Sequence, residues 1–341
     1  MASESVSPLP EKLPGDIGLR RYVVIGVDKF LPADAVDQST FGLEAEKIGL
    51  GGVLASSAAK THHFLFGAPG VSVSLGRFLY HYTSLESLEL IRQSRSLRLS
   101  ANSTKNDPLE SRPWEGVGLM YGMSQLGQSP TLEVRDNAMR HLSDLDALRL
   151  RTLAISFATD SPNSIGKYSD EVSLFGYSHP SMWAHYGADH SGACIVLDRH
   201  AFDLVADMAL SAIGDSFGQS VTYTNQLVEL VELSGYYVEG ETGSPREDLI
   251  ARRGSHLFSK HPVWASEAEY RWVCIPQDGS SHALVGLGES IIGLVLGDQT
   301  NISDARISAF VEDFGISANV AQCGWSSPFQ LDVDLLDDFS G

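Results

Sequence analysis

From Phe78 the chain alternates: Leu79 and His81 fall on one side and Phe78, Tyr80 and Tyr82 on the other, the two-residue period of a strand. Thr83 and Glu86 follow at capping-box spacing, and Leu85, Leu88 and Ile91 form the stripe of an amphipathic helix. Leu97 and Leu99 flank Arg98 in a second short strand. A longer helix is predicted over Leu132–Leu150, with Val134, Ala138, Leu142 and Leu145 on one face. Leu153–Phe157 reads as a strand and His179–Tyr186 as a short helix, with Pro180 suited to its first turn. Ala193–Asp198 scarcely alternates, as expected of a strand covered on both faces. Helices are predicted at Arg199–Ala212 and Ser244–Phe258, the second opened by Ser244-Pro-Arg-Glu247, a capping box with proline at the first helical position. Strands at Glu269–Ile275 and Ile291–Leu296 precede a helix at Ser303–Phe314, which Gly315 is placed to end. Strands and helices do not alternate regularly, so the pattern predicts an α+β fold rather than a doubly wound parallel sheet.

Upstream, residues 1–15 are polar and Pro-containing and read as a disordered tail, with no apolar stretch of the secretory kind. Residues 16–76 read as an N-terminal extension of unknown role, with a strand at Tyr22–Val27 and a loop at Gly49–Gly52. Residues 77–341 form the main domain, with a helical insertion at about 199–260.

Composition narrows the function classes. Hydrophobic residues make up 43% of the 341, enough for an ordinary core, and no apolar run approaches a membrane span. No membrane partner is expected, and three scattered cysteines, Cys194, Cys274 and Cys323, suit reduced thiols in a cytoplasmic protein. Delivery into another cell stays open. A formal net charge of −19 argues against wrapping duplex nucleic acid over a broad surface. Arg92, Arg95, Arg98 and Lys105 form a local basic stretch, either a solvated face or a cradle for a pyrophosphate. The 11 histidines do not reproduce a zinc signature, so no metal is expected.

Four stretches carry polar groups that their local structure does not need. They are Phe78-Leu-Tyr-His81-Tyr-Thr-Ser84, Asn106-Asp-Pro-Leu-Glu110, Met182-Trp-Ala-His-Tyr186 and Trp264-Ala-Ser-Glu-Ala-Glu269-Tyr-Arg-Trp272. His81 can be a satisfied core histidine or a ligand for a sugar diol. Met182, Trp183 and Tyr186 share helical spacing, as core aromatics do. Glu267 and Glu269 project together if the strand reaches back that far; they are either solvent-facing acids paired with Arg271 or a catalytic pair. Asn106, Asp107 and Glu110 read as a turn that braces a pocket or touches substrate.

Together these stretches resemble a bacterial domain-of-unknown-function family, numbered 2971, over roughly residues 77–275. Their order is also similar to that of ADP-ribosyltransferases of the His-Tyr-Glu type. The second resemblance implies a split, mostly antiparallel β-sheet core flanked by helices, with NAD as co-substrate. It implies that His81 binds ribose, that Tyr186 stacks on nicotinamide with Trp183 as its competitor, and that Glu269 stabilises the oxocarbenium-like charge. Glu267 would orient the acceptor. Tyr82, Thr83 and Arg98 would line the NAD site, and Asn106, Asp107, Glu110 and Arg271 would brace it. Glu269 is then a cleft residue whose replacement by Gln should not disturb folding.

The implied function is transfer of ADP-ribose from NAD to a protein or nucleic-acid acceptor, or hydrolysis of NAD. A role as bacterial toxin, effector or phage-defence protein would suit that chemistry. A non-catalytic module that senses a nucleotide or binds a protein on the same fold is the alternative, and a nuclease a second. The residues leave the oligomeric state open.

Overall fold

The computed structural model describes residues 22–24, 30–32, 76–105, 107–114, 132–160, 175–225, 243–317, 319–327 and 330–336. The expected tail lies outside these residues. So does most of the extension, apart from an antiparallel pair, β1 (Tyr22–Val24) with β2 (Phe30–Pro32).

The fold is α+β, with a mostly antiparallel open sheet flanked by helices. Its organising strand is β5 (Leu153–Ala158). One edge of β5 pairs along its length with β10 (Glu269–Pro276), and β10 pairs in turn with β7 (Gly214–Ser220). The other edge is shared. Leu153 and Ala154 pair with β4 (Ser96–Ala101), which continues to β11 (His282–Gly286). Ala158 pairs instead with Tyr80 of β3 (Phe78–Thr83). From β3 the sheet runs through β6 (Ala193–Asp198) and β12 (Ile291–Leu296) to β13 (Val320–Ser327) and β14 (Gln330–Leu335). The sheet is thus forked at β5, with one branch through β4 and the other through β3.

Alternation assigns the two faces. Leu79, Ile155, Phe157, Ile195, Tyr270 and Trp272 belong to one core, covered by helices α1 (Leu85–Ser94), α5 (Arg199–Ser211) and α8 (Ala305–Phe314). Phe78, Tyr80, Tyr82, Trp183, Cys194 and Val196 form a second core on the opposite face, under α4 (Pro180–Tyr186). Further along that face, Ala154, Val273 and Ile275 pack with Leu249 of α6 (Pro245–Ala251) and Leu257 of α7 (Arg253–Leu257). All eight residues of β10 are therefore buried.

Local signals set most ends, with two shifts. The cap of α1 is Ser84, whose hydroxyl accepts from Ser87 N at 3.2 Å, not Thr83, because Thr83 is still paired with Ala193. The capping box at Ser244 and Glu247 forms as expected, but the helix after it breaks at Arg252, just before Gly254 lowers helix propensity. The other α-helices among the described residues are α2 (Pro108–Ser111), which Asp107 opens by accepting from the N–H groups of Glu110 and Ser111, and α3 (Leu132–Arg151). The stretch at 199–260 supplies α5, α6 and α7, and also the sheet strand β7. No helix among the described residues is long and apolar enough to cross a membrane.

Gly192 enters β6 at a close backbone approach: an added Cβ would run into the carbonyl oxygen of Thr83, a backbone atom that cannot step aside. Gly192→Ala should therefore cost about 1–3 kcal/mol, the range for overpacking. Urea unfolding of the two proteins measures it, and an unchanged midpoint would contradict the packing described.

Candidate functional site

The site grows from the start of β10. A 3₁₀ turn, Pro262–Glu267, ends at Ala268, which takes a left-handed φ of 44°. That conformation is costly for a residue with a Cβ and persists only where its surroundings hold it. Thr159 does so, donating to Ala268 O from its N–H at 3.0 Å and its hydroxyl at 2.7 Å. The strand begins only at Glu269, so Glu267 is a turn residue and the pair is not aligned by strand period, as the sequence suggested. The two carboxylates meet through a third residue, Lys260 of β9 (Ser259–Lys260), a two-residue strand parallel to β8 (Thr222–Tyr223).

Lys260 Nζ lies 2.6 Å from Glu267 Oε2 and 3.3 Å from Glu269 Oε2. Arg271 grips Glu269 with two donors, Nε to Oε1 at 2.6 Å and Nη2 to Oε2 at 2.9 Å. Its remaining hydrogen bonds reach Leu257 O and Glu110 Oε1, both at 2.7 Å. Lys105 Nζ stands 3.3 Å from Glu110 Oε2, beyond good hydrogen-bond geometry. At the other end the Tyr186 hydroxyl donates to Glu267 Oε1 at 3.1 Å. Tyr223 accepts the backbone N–H of Glu269 at 2.8 Å. Arg271, Glu269, Glu267 and Lys260 are 2%, 4%, 6% and 8% exposed, so this is a buried network, not a solvated face. Three cations stand against three carboxylates, which is what makes such burial tolerable.

The charges tune one another. Burial alone would raise the Glu269 pKa, but Arg271, Lys105 and Lys260 outweigh it and hold the carboxyl well below the usual range. Glu110 is likewise lowered: burial opposes, and Lys105 and Arg271 prevail. Lys260 is raised, burial being overcome by Glu269 and Glu267. Lys105 goes down, through burial and then the like charge of Arg271. Burial, with Glu267 beside it, pushes the Tyr186 hydroxyl up, so it stays a donor.

Tyr186, Glu267, Glu269, Glu110 and Arg271, all singled out in the sequence, are brought into this one network. His81 is not. It pairs with Ile195 on the Leu79 face, and its ring lies 5.7 Å from that of Phe157. Glu269 pairs with Ala158, on the other face, so His81 and Glu269 project from opposite sides of the sheet. The His81 ring is bonded to the backbone of Ser156, and burial pulls its pKa down to about 4 against that bond. A ribose-binding role shared with Glu269 does not fit this placement. Trp183 is fully buried, donates to Tyr177 O at 2.8 Å and packs edge-on to Tyr82, so it offers no stacking face. Tyr82, donating to Gly176 O, and Thr83 are buried core residues. Asp107 is buried and its carbonyl opens α2. Asn106 lies outside the described residues. Arg98 is exposed on β4. Arg92 is paired with Glu89 and Asp313, and Arg95 lies over the Phe314 ring, so the basic stretch does not act as one cradle.

Lys260 and Arg149 escaped sequence reasoning. Arg149 of α3 fixes α2 by donating to the carbonyls of Glu110 and Arg112, both at 2.7 Å, and lies over Trp114. A lone lysine before a turn carries no signal until the turn folds back on it. Among the described residues, no group of three or more His, Cys, Asp or Glu is placed to hold a metal ion.

Residues 182–272 match the model of a protein family of unknown function, DUF2971. The matched span supplies Tyr186, Lys260, Glu267, Glu269 and Arg271, while Glu110 and Lys105 lie upstream of it. No curated protein and no solved structure matches the chain.

The network makes Glu269 a folding residue, against the expectation of a tolerant cleft position. Glu269→Gln leaves Arg271 and Lys260 short of charge and should cost about 3–5 kcal/mol, measured by denaturant unfolding. The pH dependence follows in sign. Stabilisation from Glu269 and Glu110, whose folded pKa values are lowered, is present above the ordinary Glu value of roughly 4.3 and lost as pH falls through the lowered values. That from Lys260, raised in the fold, is present below roughly 10.4 and lost as pH rises through the raised value. Unfolding at a series of pH values should show both limbs in the wild type and a shallower acid limb in Glu269→Gln.

Proposed function

We propose that the chain cleaves the bond between nicotinamide and ribose in NAD and passes ADP-ribose to a macromolecular acceptor or to water. Tyr186 and Glu267 meet the substrate in this reading. The observation that carries it is the Tyr186–Glu267 hydrogen bond at the edge of the charged network, where Tyr186 keeps partial exposure. An aromatic face beside a carboxylate suits a cationic ring that leaves from a sugar. Stacking on such a ring is worth ~1–2 kcal/mol when desolvated. As the C1′–N bond breaks, positive charge grows on the ribose and the Glu267 carboxylate stabilises it. The bond electrons leave with nicotinamide, whose ring nitrogen becomes neutral. An acceptor N–H or O–H, or water, forms the new bond to C1′ and gives up its proton. Glu269 stands behind Glu267, neutralised by Arg271, and His81 serves the opposite face. The net charge of −19 favours a protein acceptor over a duplex nucleic acid. A role in bacterial conflict, as toxin, effector or defence protein, is compatible with this chemistry.

One observation favours a second reading, a module that binds a nucleotide or protein without turnover. The network is charge-balanced and nearly saturated internally, as a structural cluster would be.

Nicotinamide release and acceptor labelling, with NAD and a cell extract, separate the two. Glu267→Gln should lower turnover by roughly 100-fold or more while NAD affinity changes little. Tyr186→Phe keeps the ring and should lose less than Tyr186→Ala. A wild-type chain that binds NAD but releases no nicotinamide would move the assignment to the binding module. One that neither binds nor consumes NAD would remove NAD from both.

A further inference from the structure

We infer that Lys260 is a positioning residue that bridges the Glu267 and Glu269 carboxylates and holds Glu267 Oε1 toward Tyr186; its link to turnover rests on the function proposed above. The geometry accounts for every donor of the ammonium. One N–H reaches Glu267 Oε2 at 2.6 Å, one reaches Glu269 Oε2 at 3.3 Å, and the indole of Trp264 faces the third side at 5.0 Å from its centroid. A lysine satisfied on three sides is a fixed point charge. Lys105, buried with no hydrogen bond at its Nζ, is not.

Two carboxylates brought to one cation in a dry site repel each other once that cation is removed, and such a pair takes up a proton more readily. Among the described residues, no other cation that faces Lys260 is paired with Glu267. Glu267 and Trp264 come from the turn, Glu269 and Arg271 from β10, Glu110 from α2, Lys105 from the segment before it, Tyr186 from α4 and Tyr223 from β8. Arg271 is already held by Glu269, Glu110 and Leu257 O, and Tyr223 by the backbone of Glu269. On α7, His256 bonds Arg252 O instead, with Nδ1 at 3.2 Å. Of the two acids that Lys260 touches, Arg271 therefore bonds Glu269 and not Glu267. Among the described residues, Lys260 is the one cation that bridges the two acids, and it clamps the oxygen of Glu267 that Tyr186 does not use.

The test is a pair of titrations on the full chain. Carboxyl carbons of wild type, Lys260→Met and Lys260→Arg are followed by NMR against pH, and nicotinamide release is measured over the same range. In Lys260→Met one carboxyl of the pair should titrate at least about one pH unit higher than in wild type. The acid limb of turnover should rise with it: activity should fall about tenfold for each pH step of about one below the new midpoint and recover at high pH. Lys260→Arg keeps the charge and should restore both profiles toward wild type. A merely structural lysine would lower activity equally at every pH. Unmoved carboxyl titrations in a folded Lys260→Met protein would overturn the inference whatever the activity. Higher carboxyl midpoints in a chain whose wild type consumes no NAD would uphold the Lys260 assignment while removing the proposed reaction. If Lys260→Met does not fold, Lys260→Gln, which keeps two hydrogen-bond donors without charge, takes its place. If neither folds, the wild-type protein decides: the Lys260 ammonium should titrate above the ordinary lysine value of roughly 10.4, and a midpoint at or below it would overturn the inference.

Discussion

The Arg271–Glu269 pair is the interaction on which the rest depends. Both groups sit on a strand buried on both faces, where an unpaired charge would cost several kcal/mol. The guanidinium is accommodated because all its hydrogen bonds end on fixed acceptors in three different elements. It ties β10 to α7 through Leu257 O and to α2 through Glu110. Arg149 holds the same short helix from the other side, by its backbone. A four-residue helix has too few internal bonds to persist alone. These two arginines, rather than helix propensity, keep Glu110 and Lys105 beside the site.

The fork at β5 has the second large consequence. A continuous sheet would leave β3 and β4 side by side along β5. Here each meets β5 at one end only, and the His81 ring reaches the Ser156 backbone. Alternation along β3 then works against the expected constellation. It puts His81 with Phe157 and leaves Tyr80 and Tyr82 facing the side where Tyr186 and Glu267 lie. Any chemistry on the Glu267 face therefore has to proceed without imidazole from this strand. In the proposed reaction the substrate-facing roles are therefore given to Tyr186 and Glu267, with Lys260 as the cation that holds Glu267.

Much of the fold was legible along the chain. A period-two run located β3, and Ser244-Pro-Arg-Glu247 announced the start of α6, because these signals rest on contacts a few residues apart. The first capping position moved by one residue, to Ser84, because pairing with Ala193 keeps Thr83 in the strand, a long-range effect that no local spacing reveals. For the site, the acids, Arg271 and Tyr186 were visible as polar groups in apolar surroundings. Their partners were not. Lys260 and Arg149 look like ordinary surface cations until the chain folds, and Lys105 reads as part of a basic stretch rather than as a partner of Glu110.

What the sequence determined by itself was the α+β class, the elements with strong local signals, and the acids, Arg271 and Tyr186 of the site. Which of them act together was decided only by tertiary structure. Strand parity separated His81 from Glu269, and a left-handed Ala268 turned Glu267 back toward Lys260. Both outcomes depend on register between segments far apart in the chain, where a slip of one position would exchange the faces.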